Sequence, residues 1–348
     1  MTTALSTISR SWAQLEQLRA PLSTLLSRAR TAGRVGLHSS AFLPAWASAL
    51  TLDDVDRFMF KNNFAGSLEL HERVLGDPDK RAALARAERE DLFTLPVLLA
   101  CALSDIRRTR FKEQGGPRQL DVEPRDAFPY PDYYLNDFHN QFNGGLSLRS
   151  ALTYEWQIRL LFMGSNRLMR QGVIDQIPEG NHLDVLDVAC GPATMIGQAW
   201  LQNRQHRYTG IDLSPSYLEA ARLLRRKATL LQMNAEQMNS EWTSHFDWVT
   251  CIWLFHELPL EATERVVAEM ARVLKPGGAL VFMDAIQNED ATPEELPTFE
   301  NFHRHYNEPY FLDYARMDLP ELFARHGLHV EKKERWFLSK LLVLRKNA

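Results

Sequence analysis

Two aspartates that end apolar segments are the first residues in this sequence that could do chemistry. Asp187 lies in the apolar run at 185–189, just before Gly191. Asp212 ends a second such run, 25 residues further along the chain. In an open α/β sheet, ligands bind where the carboxyl end of a strand meets the next helix. An acid at the end of the second strand can accept hydrogen bonds from both hydroxyls of a ribose, and Gly191 lets the backbone approach a ligand closely. The pair predicts a site for an adenosine-bearing cofactor.

The glycine spacing after the first apolar run argues against one class of cofactor, the dinucleotides. A dinucleotide site requires G-x-G-x-x-G, whose glycines admit the pyrophosphate at the start of a helix. After Gly191 the next glycine is Gly197. The missing glycine disfavours NAD.

A histidine and an acid follow a third apolar run. His256 and Glu257 follow the segment 246–253 after two apolar residues, Leu254 and Phe255. An imidazole has an ordinary pKa close to neutrality, so His256 is suited to removing a proton from a hydroxyl. Alternatively, His256 packs beneath the cofactor and Glu257 pairs locally. The sequence leaves both interpretations open.

These candidates need a sheet to position them, and the second half of the chain predicts one. Beyond Pro178, strand-like and helix-like segments alternate, as in a Rossmann-like, doubly wound α/β fold. We expect a seven-stranded, mostly parallel sheet that ends in an antiparallel hairpin. The predicted strands are 183–189, 208–212, 228–233, 246–253, 279–284, 328–333 and 336–344. The predicted helices are 192–202, one capped by Ser214, 260–274, which stops at the turn 275–278, and one around 321–326.

The first half of the chain predicts helices instead. We divide the chain into a helical N-terminal domain at 1–130, acting as a lid or in dimerisation, a connecting or lid segment at 131–178, and an α/β domain at 179–348. One helix is expected from Leu148 to Gln171. The first 50 residues hold five Arg, eight Ser and the single acid Glu16, a composition typical of organelle transit peptides. We favour a basic amphipathic helix there and a cytoplasmic location, with an organellar location as the alternative.

The composition excludes several classes of protein. The 348 residues are 45% apolar and 24% charged, which is ordinary for a globular protein. The net charge of −4 argues against a nucleic-acid partner, and no apolar run is long enough to span a membrane. Cys101, Cys190 and Cys251 form no CxxC pair, so a thiolate zinc site is not expected.

Five blocks in order give the strongest signal, because together they resemble class I S-adenosylmethionine-dependent methyltransferases over residues 183–284. The blocks are LDVLDVACGPA at 183–193, YTGIDLSPSYLEAAR at 208–222, LLQMNAEQM at 230–238, FDWVTCIWLFHELP at 246–259 and RVLKPGGALVFMDA at 272–285.

The resemblance implies a role for individual residues. Asp187 should lie beneath the methionine end of S-adenosylmethionine, and Asp212 should hold its ribose. Asn234 stands where the family usually has an acid, and it can still accept from the adenine amino group. Ala189 and Ala193 stand where the family commonly has glycines. The remaining residues assigned to the cofactor are Cys190 and Gly191 in the first turn, Leu213 and Ala235 at the adenine, and Trp253.

The substrate side is expected in two aromatic segments that flank the sheet. Tyr133, Tyr134, His139 and Tyr154 are candidates for a lid, and Tyr306 and Tyr310 for a substrate loop; a packed seam between domains is the alternative. The aromatics suggest an apolar or aromatic pocket. His303 and His305 are two residues apart and do not share a helix face, so no metal site is predicted.

The resemblance therefore implies an enzyme that methylates a small molecule. O-methylation of an aromatic or apolar hydroxylated acceptor is expected, with His256 as the base. A catalytically silent protein that binds cofactor or partner, or a C- or N-methyltransferase, is the alternative. The implied partners are a small-molecule substrate and, through the N-terminal helices, a second copy of the chain.

Overall fold

The computed structural model describes eight segments of the chain, which together hold the whole predicted α/β domain apart from residues 181 and 225. They are 66–67, 69–92, 128–136, 138–140, 144–162, 164–180, 182–224 and 226–348. Most of the predicted N-terminal domain, including the basic segment at 1–50 and the expected dimerisation helices, lies outside the described residues. Within it the structure describes helix at 69–75 and α1 (Pro78–Leu92).

A seven-stranded sheet forms the centre of the molecule and confirms the predicted fold class. The strands are β1 (Asp184–Val188), β2 (Arg207–Asp212), β3 (Thr229–Gln232), β4 (Phe246–Ile252), β5 (Leu274–Ala285), β6 (Leu328–Trp336) and β7 (Ser339–Lys346). Their order is β3-β2-β1-β4-β5-β7-β6. The first five strands of that order are parallel, and β7 lies antiparallel between β5 and β6. The carboxyl ends of the five parallel strands therefore open on one edge, where the predicted site residues lie.

Helices surround this sheet. They are α2 (Leu148–Leu161), α3 (Asn166–Ile174), α4 (Thr194–Gln202), α5 (Pro215–Leu223), α6 (Leu260–Val273), α7 (Leu296–His305), α8 (Phe311–Arg316) and α9 (Leu319–Arg325). The start of α5 shows why the sequence folds this way locally. The Ser214 hydroxyl accepts from the backbone N–H of Tyr217, 2.9 Å away, and Pro215 supplies a first-turn residue without an N–H.

The core lies between the sheet and the helices that the apolar pattern predicted. Val249 in β4, Leu280 in β5 and Val267 in α6 are fully buried in one cluster. Burial of each such side chain contributes about 1.5–3 kcal/mol, so this packing fixes the strands whose ends carry the site. No helix in the described segments is long and apolar enough to cross a membrane.

Three local predictions were wrong. The single helix expected from Leu148 to Gln171 is two helices, α2 and α3, and Gly164 between them has φ +82°. Helix α4 begins at Thr194, because Gly191 and Ala193 before it are left-handed. The turn expected at 275–278 is a bulge within β5, since Leu274 pairs with Phe246 and Ala279 with Trp248.

Candidate active site

The turn between β1 and α4 is built from residues in an unusual backbone conformation. Ala189, Gly191 and Ala193 have φ values of 55°, 55° and 51°. This left-handed region suits glycine and costs an alanine roughly 1–2 kcal/mol. A hydrogen bond from Cys190 N to Ile211 O, 2.9 Å, ties the turn to the end of β2. Burial raises the pKa of the Cys190 thiol well above its usual range, so Cys190 packs here rather than reacting.

Asp212 joins the ends of β1 and β2. Its Oδ2 accepts from Gly191 N and its Oδ1 from Ser214 N, both at 2.8 Å. Burial raises the pKa of Asp212 to about 6, against the lowering effect of these two hydrogen bonds. Each carboxylate oxygen keeps a further lone pair, so the group can accept two more hydrogen bonds, as a ribose diol requires.

Asp187 lies below that turn, in the sheet itself. Its carboxylate accepts from the Thr250 hydroxyl on β4 at 2.8 Å, and the residue is almost completely buried. Burial raises the pKa of Asp187 to about 7. Asp187 and Cys190 do not line the cleft above this turn, so the structure places Asp187 beneath the cleft rather than in its wall.

A cleft of about 970 Å³ opens over the ends of β1, β2 and β4. It brings together most of the predicted cofactor residues, namely Ala189, Gly191, Asp212, Leu213, Asn234, Ala235 and Trp253. Tyr133, Tyr134, His139 and Tyr154 of the predicted lid also line it. The Tyr133 hydroxyl donates to Glu236 Oε1 at 2.6 Å, next to the Asn234 turn. The aromatic segment before α2 therefore covers the cleft from the side opposite the sheet.

A second cavity of about 800 Å³ adjoins the first and is mostly apolar. Its walls come from α2, α7 and α8, through Ile158, Leu161, Phe299, Phe302 and Phe311. The two cavities share four lining residues, which are His139, Tyr154, Trp253 and Glu257. Tyr154 of α2 was predicted as a lid residue, whereas Ile158 and Leu161 of the same helix were missed, because apolar residues in a helix carry no chemical signal of their own.

Trp253 is the fixed wall between the cavities. Its indole N–H donates to the Ser339 hydroxyl at 3.0 Å, and Phe162 stacks on its ring at 4.8 Å. The guanidinium of Arg170 lies 4.9 Å from the ring centroid. Trp253 is itself left-handed, with φ 55°, so three contacts hold a strained residue in one orientation.

A buried aspartate holds His256. Asp284 Oδ1 lies 2.6 Å from His256 Nδ1, and its Oδ2 accepts from Phe255 N at 2.7 Å. Burial alone would lower the pKa of His256, but the Asp284 carboxylate outweighs it and raises the pKa to about 10. An imidazole that is already protonated at neutral pH is a poor proton acceptor, which counts against the expected role of His256 as the base.

His139 lies between two further carboxylates. Its Nε2 is 3.1 Å from Glu257 Oε1, and its Nδ1 is 3.2 Å from Glu308 Oε1. Burial acts to lower the pKa of His139, but the two carboxylates raise it. Glu308 is completely buried, and burial raises its pKa to about 8. Neither Glu308 nor Asp284 was predicted as a site residue, although Asp284 stands near the end of the block at 272–285 and could have been found there.

The two predicted substrate-loop tyrosines do not line either cavity. The Tyr306 carbonyl accepts from His139 N at 2.8 Å, and the Tyr310 ring meets Tyr133 edge-on at 6.4 Å. Both therefore support residues of the site from behind. The predicted lid residues His139 and Tyr154 line both cavities.

Comparison with known proteins agrees with this geometry. Residues 185–278 match the family model of the methyltransferase domain. The ubiquinone biosynthesis O-methyltransferase of Pseudomonas paraeruginosa is 37% identical over 106 residues, which cover 29% of this chain and 44% of that protein. The protein of the same name from Stutzerimonas stutzeri is 33% identical over 111 residues, 31% of this chain and 46% of its own. The chain thus spans less than half the length of these curated relatives.

Solved structures of methyltransferases are similar to part of this chain. An O-methyltransferase family protein from Burkholderia thailandensis is similar with a TM-score of 0.46 and 20% identity, over 57% of this chain and 60% of that one. The fold, the cleft and the family match together define a class I S-adenosylmethionine-dependent methyltransferase domain. The similarity to the curated relatives covers about a third of the chain or less.

Proposed function

We propose that this protein transfers the methyl group of S-adenosylmethionine to a hydroxyl of a small apolar or aromatic molecule. The observation that carries the proposal is the pair of adjoining cavities with four shared lining residues. A donor in one cavity and an acceptor in the other would meet only at that junction. The names of the similar Pseudomonas and Stutzerimonas proteins, which are O-methyltransferases, support a hydroxyl as the acceptor.

The polar cleft is the cavity that suits the cofactor. Asp212 would accept from the ribose hydroxyls, Asn234 from the adenine amino group, and the Ala235 N–H would face the adenine ring. When bound, the cofactor supplies an electrophilic methyl group on sulfur. The protein must therefore align the acceptor and deprotonate it, which is work for positioned side chains.

The apolar cavity is the one that suits the acceptor. Ile158, Phe299 and Phe302 offer it surface without hydrogen-bonding groups, so an aromatic ring gains from burial there. Trp253 fixes one side of the junction. Such walls hold a substrate close to the reacting atoms and exclude water. Both effects favour transfer of the methyl group over release of the unreacted substrate.

The polar groups at the junction would handle the proton. We assign proton acceptance to Glu257, because its carboxylate lines both cavities. Protonated His256, held by Asp284, would stabilise the negative charge that develops on the acceptor oxygen. This departs from the role of base that the sequence suggested for His256, since the raised pKa of His256 favours a cation.

Transfer can be tested with isotope-labelled S-adenosylmethionine and a panel of phenols and apolar alcohols, with mass spectrometry of the products. Glu257→Gln should lower turnover at least about 100-fold and leave the affinity for S-adenosylhomocysteine unchanged. An acceptor that is methylated equally well by Glu257→Gln would refute the assignment of the proton. Absence of cofactor binding in the unchanged protein would refute the function itself.

A second variant separates the two cavities. Ile158→Trp places a large ring in the apolar cavity, so we expect methyl transfer to fall while S-adenosylhomocysteine still binds. Leu223→Trp, on the exposed face of α5, is the matched control and should change neither property. Full transfer by Ile158→Trp would show that the acceptor binds elsewhere.

A further inference from the structure

Four side chains meet at the junction of the two cavities in a pattern that the methyl transfer alone does not require. His139, His256, Glu257 and Glu308 each offer one nitrogen or oxygen atom, and these atoms all lie within 4.8 Å of one another. They come from three separate segments, which are the turn Phe138–Asn140, the turn Phe255–Glu257 and the loop before α8. Two imidazoles and two carboxylates at this spacing are a typical donor set for a metal ion.

Glu308 provides an independent observation that points to a ligand. Its side chain is completely buried, and neither carboxylate oxygen has a hydrogen-bond partner among the residues that the structure describes. His139 Nδ1 lies 3.2 Å from Glu308 Oε1, and the His256 imidazole lies within 4.8 Å in the same cluster. A buried carboxylate normally has several donors or a cation, because leaving it unsatisfied is costly. Glu308 therefore lacks a partner that an ion at the cluster would supply.

The support behind His256 also fits a metal ligand. Asp284 Oδ1 lies 2.6 Å from Nδ1 of the imidazole, so Nε2 is the nitrogen left for the cluster. Histidines that bind metals almost always donate their other N–H to a carboxylate or carbonyl, which fixes the tautomer and the ring. Asp284 is fully buried and also accepts from Phe255 N, so its own orientation is fixed.

We propose that His139, His256, Glu257 and Glu308 bind one divalent transition-metal ion, such as Zn²⁺, Mn²⁺ or Fe²⁺. Two imidazole ligands favour these ions over Mg²⁺ and Ca²⁺, which prefer oxygen ligands alone. Binding requires both imidazoles in the unprotonated form, so the affinity for the ion should fall as the pH is lowered. The ion would lie beside the apolar cavity, where an acceptor hydroxyl could become a further ligand. Only that last step rests on the proposed function. In the metal-bound protein the ion would take the place of protonated His256 beside the acceptor oxygen, and Glu257 would serve as a ligand.

The test measures metal binding without any substrate. The full chain is purified without a polyhistidine tag, stripped with a chelator and titrated with Co²⁺ under visible spectroscopy, and Zn²⁺ is then used to displace the cobalt. We expect one equivalent per chain and a cobalt absorption band that shows nitrogen ligands. His256→Asn and Glu308→Gln should each weaken binding at least about 100-fold, and Asp284→Asn should weaken it about 10–100-fold.

The chain offers a matched control pair. His326 and Glu264 are 2.8 Å apart on the surface, and Glu264→Gln should leave metal binding unchanged. Failure of the unchanged protein to bind an equivalent of metal would overturn the proposal. Equal binding by Glu308→Gln would also overturn it, because the ion would then be held elsewhere. Binding of S-adenosylhomocysteine, measured on the same samples, reports separately on the proposed function and confirms that each variant is folded.

Discussion

Protonation of Asp212 should control the affinity of the protein for its cofactor. The carboxylate is buried, its pKa is raised to about 6, and it already accepts from Gly191 N and Ser214 N. Ribose hydroxyls would donate to the ionised form. Binding should therefore favour the carboxylate, and protonation of the empty site should compete with binding.

The size of the effect follows from the pKa. If only the ionised form binds, the apparent dissociation constant increases by the factor 1 + 10^(pKa − pH). With a pKa of about 6 for Asp212, affinity is within about 10% of its maximum at pH 7 and about 11-fold weaker at pH 5, or ~1.4 kcal/mol. The direction is fixed, because a carboxyl group loses its charge as the pH falls.

Calorimetric titration with S-adenosylhomocysteine between pH 5 and pH 8 measures this. Asp212→Asn keeps the shape of the side chain but replaces one accepting oxygen by a donor. It should lose about 2–4 kcal/mol of binding, roughly 30- to 1,000-fold, from hydrogen bonds to a charged group. The remaining affinity of this variant should no longer fall between pH 7 and pH 5 through protonation of residue 212.

A control is needed because Asp187, with a pKa of about 7, titrates close to the same range. Asp187→Asn removes the titrating carboxyl group of Asp187, and the affinity of this variant should still fall as the pH is lowered through about 6. Equal affinity of the unchanged protein at pH 5 and pH 7, or the same fall of affinity in Asp212→Asn, would refute the assignment of Asp212 to the ribose.

Three further predictions concern the same edge of the sheet. Ala189→Gly should raise the free energy of unfolding, measured by urea denaturation, by about 1 kcal/mol, because φ of residue 189 is 55°. As a control, Ala268→Gly within α6 should lower the free energy of unfolding by about 1 kcal/mol. A change in the same direction for both variants would contradict this reasoning. Gly210→Ala should lower the free energy of unfolding by about 1–3 kcal/mol, since the new Cβ would lie 2.8 Å from Cys190 Sγ. Adding Cys190→Ala to this variant should recover part of the lost stability. If the double variant is no more stable, the steric contact is not the cause. Tyr133→Phe removes the 2.6 Å hydrogen bond to Glu236, so the backbone amides at 132–136 should exchange hydrogen about tenfold faster, which corresponds to ~1.4 kcal/mol. Unchanged exchange rates would show that this contact does not hold the segment in place.

The parallel strands could be predicted because their signals are local. Each is a short apolar run that ends in a turn residue, and Asp187 and Asp212 mark two of the ends that carry the cofactor cleft. Ser214 likewise caps α5 by a contact with Tyr217, only three residues away. Such features depend on neighbours along the chain, so a sequence alone contains them.

The four residues shared by the two cavities were each predicted as site residues, but their arrangement at one junction could not be predicted, because its contacts join residues far apart in the chain. His139 and Glu257 are 118 residues apart, and the backbone around His139 is left-handed, which no residue type there signals. Glu308 follows an aromatic segment and looks like a surface acid. Its burial beside His139, from a segment about 170 residues earlier, is tertiary information. The prediction of no metal site considered the three cysteines and the pair His303 and His305, which are close in sequence, and not residues that only the fold brings together.

The order of strands at one side of the sheet has a consequence for how the chain is made. Strand β6 leaves the ribosome before β7, yet β7 lies between β6 and β5. Until β7 emerges, β5 exposes the unpaired backbone of an edge strand and β6 has no place in the sheet. During synthesis the cofactor half of the domain can therefore assemble first, while β5 and β6 stay open to wrong pairing. A chaperone that acts on the nascent chain would be expected to act there.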